Sequence, residues 1–381
     1  MQARLILEDG TIFTGKSFGA QTEHTGEVIF HTGVTGYQEL ITSPSNAGQI
    51  VVMTYPLVGN YGITREDFEV MIPQIQGLIV KSYEAYPSNW RAQHSLEQLL
   101  VKHGIPAISN IDTRMLTRKI REYGTMRGII TTSTEASEVL IAKLQQSQQL
   151  DAIALIERAA TKTMYFNPGQ RERVVLLDFG TKKSLLQQLA KRECDVVIVP
   201  YDTSAAEIDQ LAPDGIVLSD GPGNPEQLLH IVETVKQLLV KYPLFGIGLG
   251  HYLFALASGA RTEKMKYGHH GGNYPVKQLA NNRCYITSQN HNYVVYKDSV
   301  QSTDLAISYI NNNDGTVEGL QHLNYPAFSV QFQPGAGSHD TLFLFDEFID
   351  MMNNHKQSTK DAMPQAKLLQ QLKGALQHAS K

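Results

Sequence analysis

The stretch Pro243-Leu-Phe-Gly-Ile-Gly-Leu-Gly-His-Tyr-Leu-Phe-Ala-Leu-Ala-Ser-Gly-Ala260 reads as an apolar strand, a glycine-rich turn, and a helix closed by glycine. In hydrolases such a strand-to-helix elbow holds a nucleophile in a strained conformation at the edge of a parallel sheet. Here the apex is Gly248, which has no side chain. Bulky residues at Gly246, Gly248 and Gly250 would crowd the turn, and the backbone N–H of Leu249 opens the following helix where an oxyanion could bind. A plain glycine-rich turn gives the same pattern, so the motif alone does not decide its use.

Around this elbow the sequence alternates strand and helix: strand Val174–Phe179, helix Lys183–Lys191, strand Asp195–Pro200, helix Ser204–Leu211, strand Gly215–Ser219, helix Pro225–Val240, strand Leu244–Ile247, helix His251–Ser258. That alternation predicts an α/β domain with a doubly wound, mostly parallel sheet. Ligands of such sheets bind beyond the carboxyl ends of the strands, so the loops after Asp178, at Asp220-Gly-Pro-Gly-Asn-Pro225 and at Gly248 should share one rim. Further strands follow between residues 274 and 333, then a helix over Thr341–Met352. Upstream, residues 3–14 alternate around Asp9-Gly10, a pair that favours a type I′ hairpin, and mixed strand and helix signals to about residue 150 predict a compact α+β domain. The expected division is a first domain over 1–150, a linker over 151–172, a second domain over 173–355 and a polar tail over 356–381.

Length alone favours two domains, with three as the alternative. With 42% hydrophobic and 18% charged residues and a net charge of −4, the chain is neither a disordered polyampholyte nor electrostatically suited to nucleic acid. No apolar run reaches a membrane-spanning length and the start lacks a signal-peptide pattern, so the expected location is the cytoplasm. The two cysteines, Cys194 and Cys284, read as buried small hydrophobes in a reducing compartment.

Chemistry-bearing residues are few. His269-His270 offers no third ligand at zinc spacing, so no metal site is expected. Ser258 at a helix end and Cys284 within a strand lie away from the elbow, which leaves a triad-type scaffold without an evident triad.

Further segments give the chain a family likeness. Thr32-Gly-Val-Thr-Gly-Tyr-Gln-Glu39, Thr54-Tyr-Pro-Leu-Val-Gly-Asn-Tyr-Gly62, Pro87-Ser-Asn-Trp90 and Asn110-Ile-Asp-Thr-Arg114 stand in the first half; Ser219-Asp-Gly-Pro-Gly-Asn-Pro225, Lys264-Met-Lys-Tyr-Gly-His-His-Gly-Gly-Asn273, Thr287-Ser-Gln-Asn-His291 and Asp314-Gly-Thr-Val-Glu-Gly319 stand in the second. With these motifs the chain, from about Leu5 to Met352, resembles the small, glutamine-hydrolysing subunits of carbamoyl phosphate synthetase, whose second half is a class I glutamine amidotransferase.

The resemblance implies an elbow cysteine that attacks the glutamine amide, a histidine that manages its proton and a glutamate that orients the histidine. It also implies a large-subunit partner that uses ATP and magnesium on bicarbonate, no cofactor in this chain, and glutamine or ammonia as small-molecule partners. The family pattern G-I-C-L-G-H-Q reads Gly-Ile-Gly-Leu-Gly-His-Tyr252 here, and H-P-E-A-S-P-G-P-H-D reads Gln333-Pro-Gly-Ala-Gly-Ser-His-Asp340, two residues shorter. Gly248, Gln333 and Gly335 thus stand at the nucleophile, base and orienter positions, Tyr252 replaces a glutamine, and Asn292 replaces a glycine. Ser45, Gly221, Gly223, Leu249, Asn290 and Tyr293 match positions that hold glutamine or its oxyanion, so the resemblance implies a remnant pocket. The expectation is a synthetase small chain, serving arginine or pyrimidine formation or both, that has lost its own glutaminase and keeps a structural or ammonia-admitting role. The alternatives are a regulatory or ligand-binding protein acting apart from the synthetase, and an enzyme with a nucleophile relocated to Ser258 or Cys284.

Overall fold

The computed structural model describes residues 1–146 and 151–358. In the first domain seven strands close into a barrel, in the order Gln2–Leu7, Ile12–Ser17, Ala107–Ser109, Gly77–Ile79, Gln49–Met53, His24–His31, Met126–Thr131 and back to the first. Closure removes every free edge from that sheet. Its strands alternate sides with period two. Val28, Phe30, Ile50 and Val52 point to one core with Leu116 and Ile120 of helix Thr113–Tyr123, while Ile29 and Val51 point to another with Leu96, Leu99 and Leu100 of helix Leu96–Lys102. The Asp9-Gly10 turn differs from a type I′ hairpin: only Gly10 has positive φ, at 87°, and Leu7 N–H donates to Thr11 O across a longer loop.

The second domain is a ten-stranded sheet. At its centre, strands Asp195–Pro200, Arg173–Asp178, Gly215–Leu218, Leu244–Ile247 and Ala327–Val330 run parallel, as the strand-helix alternation predicts. The later strands extend the same sheet in antiparallel fashion, through Val317–His322 and Leu305–Asn311 to the long pair Thr262–Gln278 and Cys284–Val295. Both faces of the parallel centre are covered. Val175, Leu177, Ile216 and Leu218 pack against helices Leu229–Leu239 and Leu249–Ala257, and Val174, Leu176 and Val217 pack against helix Lys183–Lys191 and the aromatic side chains of Phe345 and Phe348.

The expected linker over 151–172 is built into the second domain. Helix Ala152–Ala159, capped by Asp151, buries Ile156 in its core, and strand Tyr165–Asn167 adds antiparallel to Asp195–Pro200. Its charged and Pro-Gly residues face outward while only a few apolar side chains anchor it, which is why the sequence pattern weakens there. Of the expected tail, residues 356–358 continue a helix and residues 359–381 lie outside the described residues, as do residues 147–150 of the first domain.

Candidate functional site

Strand Leu244–Ile247 is wholly buried between its two parallel neighbours and delivers Gly248 to the carboxyl edge of the sheet. Gly248 has φ 56° and ψ −109°, and its N–H donates to Val330 O. The flanking glycines are required by packing. A Cβ on Gly246 would lie 2.7 Å from Gly250 O, and one on Gly250 would collide with Leu218 O. At the apex the obstacle is a side chain: a Cβ on Gly248 would fall well under 3.0 Å from Oδ1 of Asp220, closer than real Cβ atoms approach.

Asp220 stands in the turn two residues past the neighbouring strand Gly215–Leu218, and its role is what sequence reasoning missed. Its carboxylate accepts five hydrogen bonds. Oδ2 takes Ser45 Oγ at 2.5 Å, Gln333 Nε2 at 2.7 Å and Lys182 Nζ at 3.1 Å, and Oδ1 takes the N–H of Gly221 at 2.8 Å and of Leu249 at 3.3 Å. The Asp220 and Lys182 side chains are 9% and 6% exposed, so this is a buried ion pair. The Leu249 N–H, expected to await an oxyanion, already has one from within the chain. A charged residue at the end of a strand on the shared rim was the available signal.

Ser45, Gly221, Gly223, Leu249, Tyr252, Asn290, Asn292 and Tyr293 all line one cavity of about 350 Å³ between the domains. Tyr252 is buried and donates its hydroxyl to Tyr293 O, with its pKa pushed up by burial. The Asn292 side chain bonds His270 Nε2 at 2.9 Å and donates to Glu27 Oε2 at 2.8 Å, and Glu27 in turn pairs with Lys264 at 2.8 Å. Asn292 thereby bridges the two domains. Gln333 and Gly335 lie on the other side of Asp220, in a depression with Lys182 and Phe345. A larger cavity of about 800 Å³, reaching Lys182, Gln333, Glu39, Asp67 and Arg91, opens on that side.

The other candidates are engaged elsewhere. Ser258 Oγ donates to Phe254 O at a helix end, and Cys194 is buried with its thiol pushed up to about 11. Cys284, expected to be buried, is exposed, because it starts a strand at the far edge of the sheet. His251, three residues past the apex, is wholly buried with Nδ1 2.8 Å from Ser329 Oγ, its pKa lowered by burial to about 3, and does not line the pocket.

The third group that His269 lacked in sequence is supplied by strand pairing. His269 sits opposite His291, and Glu318 joins them, with one ligand atom of each within 4.8 Å of the others. His269 Nε2 contacts Asp314 Oδ2 at 2.8 Å and Nδ1 lies 3.6 Å from Glu318 Oε1. These bonds and charges outweigh burial and raise its pKa to about 9, so the ring is held as the cationic partner of Asp314 and Glu318.

Comparison with known proteins matches these features. Residues 5–130 fit the carbamoyl-phosphate synthase small chain CPSase domain, and residues 175–351 fit the class I glutamine amidotransferase family. The carbamoyl phosphate synthase small chain of Bacillus cereus is 50% identical over 363 residues, 95% of this chain and 99% of that protein. That of Oceanobacillus iheyensis is 49% identical over 355 residues, 93% of this chain and 96% of that protein. The pyrimidine-specific small chain of Halalkalibacterium halodurans is 50% identical over 358 residues, 93% of this chain and 98% of that protein. Two adjoining domain matches and half-identity along nearly the full length leave one conclusion: the chain belongs to the carbamoyl phosphate synthase small chain family.

Proposed function

We propose that the chain pairs with a carbamoyl phosphate synthase large chain and supports carbamoyl phosphate formation from free ammonia, without hydrolysing glutamine itself. The observation that carries this reading is the apex: Gly248 offers no nucleophile, and the place a side chain would take is filled by the Asp220 carboxylate. The neighbouring position is no better equipped. Gln333 has an amide that does not titrate near neutrality and donates to Asp220. ATP and magnesium belong to the partner in this reading, and the product serves arginine or pyrimidine formation. The conserved scale of a specific protein interface, on the order of 1,000 Å² or more, sets what the pairing requires.

The test is assembly with the large chain. Co-elution in size-exclusion chromatography, with carbamoyl phosphate formed when ammonium is supplied, is the expected result; separate elution at micromolar concentration contradicts it. The intact cavity of about 350 Å³ favours a second reading, a ligand-binding protein acting apart from the synthetase, and separate elution is the outcome that supports it.

A further inference from the structure

We propose that Asp220 is a built-in ligand of its own elbow: its carboxylate occupies the donors that converge beside the apex, Ser45, Gly221 and Leu249 from the 350 Å³ cavity and Lys182 and Gln333 from behind it, and closes the inner end of that cavity to amide and carboxylate ligands. This deepens the reading above and rests on it only in taking the elbow as the inner end of the pocket.

Three observations carry the proposal. First, the donors converge from separate parts of the chain: Ser45 from the first domain, Lys182 from the loop after strand Arg173–Asp178, Gln333 from the loop after strand Ala327–Val330, and two backbone N–H groups from the rim. A carboxylate offers about four lone-pair positions. Five donors saturate it, and the Ser45 hydroxyl and the two backbone N–H groups have no second hydrogen to offer another oxygen.

Second, the carboxylate is held in place by its backbone. Gly221 cannot carry a side chain, because a Cβ there would lie 2.6 Å from Phe179 O, so the turn that aims Asp220 at the apex is fixed by close packing. Third, charge and shape agree. Lys182 balances Asp220 inside the protein, and an incoming carbonyl or carboxylate oxygen would have to displace one anion while meeting its charge in a site shielded from water. Through the same carboxylate, Ser45 of the first domain is tied to the Leu249 N–H of the elbow.

Removing the carboxylate should therefore uncover an anion site. In the full-length chain, Asp220→Gly is expected to melt several degrees below the parent. Sodium formate should raise its melting temperature saturably, and sodium chloride at equal ionic strength should not. The parent should ignore formate. Equal formate responses in parent and variant, or none in the variant, overturn the proposal. A second measurement holds whether or not the variant folds: titration calorimetry of the parent chain with L-glutamine and with L-glutamate is expected to give no saturable heat, and saturable binding of either overturns it. Binding without glutamate release would sink this inference and leave the proposed function standing, whereas glutamate release would sink the proposed function.

Discussion

Gln333 donates its side-chain amide to Oδ2 of Asp220 at 2.7 Å, joining the loop that ends one parallel strand to the turn that ends another. A histidine there would have a proton to manage only if the apex carried a nucleophile, and the apex is filled from the side by the same aspartate. The two residues form one closed constellation, and changes to either act on the whole of it.

Gly248→Cys is expected to yield no glutaminase. The new Cβ meets Asp220 Oδ1, and a non-glycine residue must adopt φ 56°. Strain of this kind costs on the order of 1–3 kcal/mol. Chemical denaturation should show that loss, and an assay of glutamate release should show no gain. A thiol beside the Asp220 carboxylate and without a histidine to take its proton stays mostly protonated at neutrality, since even free cysteine has a pKa of about 8.5.

Lys182→Met should be among the most destabilising single changes. It leaves a buried carboxylate without its cation, a loss of about 3–5 kcal/mol where one partner of a buried pair is removed. Lys182→Met with Asp220→Asn should recover part of it, because the uncompensated charge is gone. Denaturant midpoints of the parent, both single variants and the double variant form the cycle that checks this.

The first domain's hold on the elbow is testable through Ser45. Ser45→Ala removes a hydrogen bond to a charged group and should cost about 1.5–3 kcal/mol. Were the bond only a surface contact, the denaturation midpoint would not move.

Stability should fall with rising pH through the His269 cluster. The folded pKa of His269 is about 9, above the ordinary 6.5, so its contribution is complete below 6.5 and is lost as pH climbs from 6.5 to about 9. Asp314 works the other way: held down to about 2, it contributes above 3.8 and is lost as pH falls from 3.8 toward 2. His269→Gln should flatten the alkaline limb of a stability profile while leaving the apex geometry unchanged. An unaltered alkaline limb would contradict the assignment.

How much of this was legible in the sequence differs by region. Helix Lys183–Lys191 and strands Asp195–Pro200 and Leu244–Ile247 have the bounds that pattern alone predicts, because period and glycine punctuation are local signals. Closure of the first domain was not legible. It depends on three-residue strands such as Gly77–Ile79 and Ala107–Ser109 finding parallel partners across long loops, and nothing local encodes that pairing. The cavity's lining residues were named in advance from the family likeness, and the structure gathers them around one space. Asp220 and Lys182 were missed because each sits in a segment that reads as a turn or a helix start. Only the sheet order shows that Asp220 points at Gly248 and that Lys182 meets its carboxylate. His269 and Glu318 are 49 positions apart, and strand pairing is what unites them with His291.

The most direct test of the central claim follows nitrogen. The chain, purified with its large chain, is given L-glutamine labelled with ¹⁵N at the amide, and glutamate release and label in carbamoyl phosphate are measured beside synthesis from ammonium chloride. Loss of a nucleophile in a model hydrolase lowers turnover by roughly 10⁶. The expected result is carbamoyl phosphate from ammonium, with no label transferred and no glutamate above background. Label transfer at rates near those of competent enzymes, about 1 s⁻¹ or more, would contradict it.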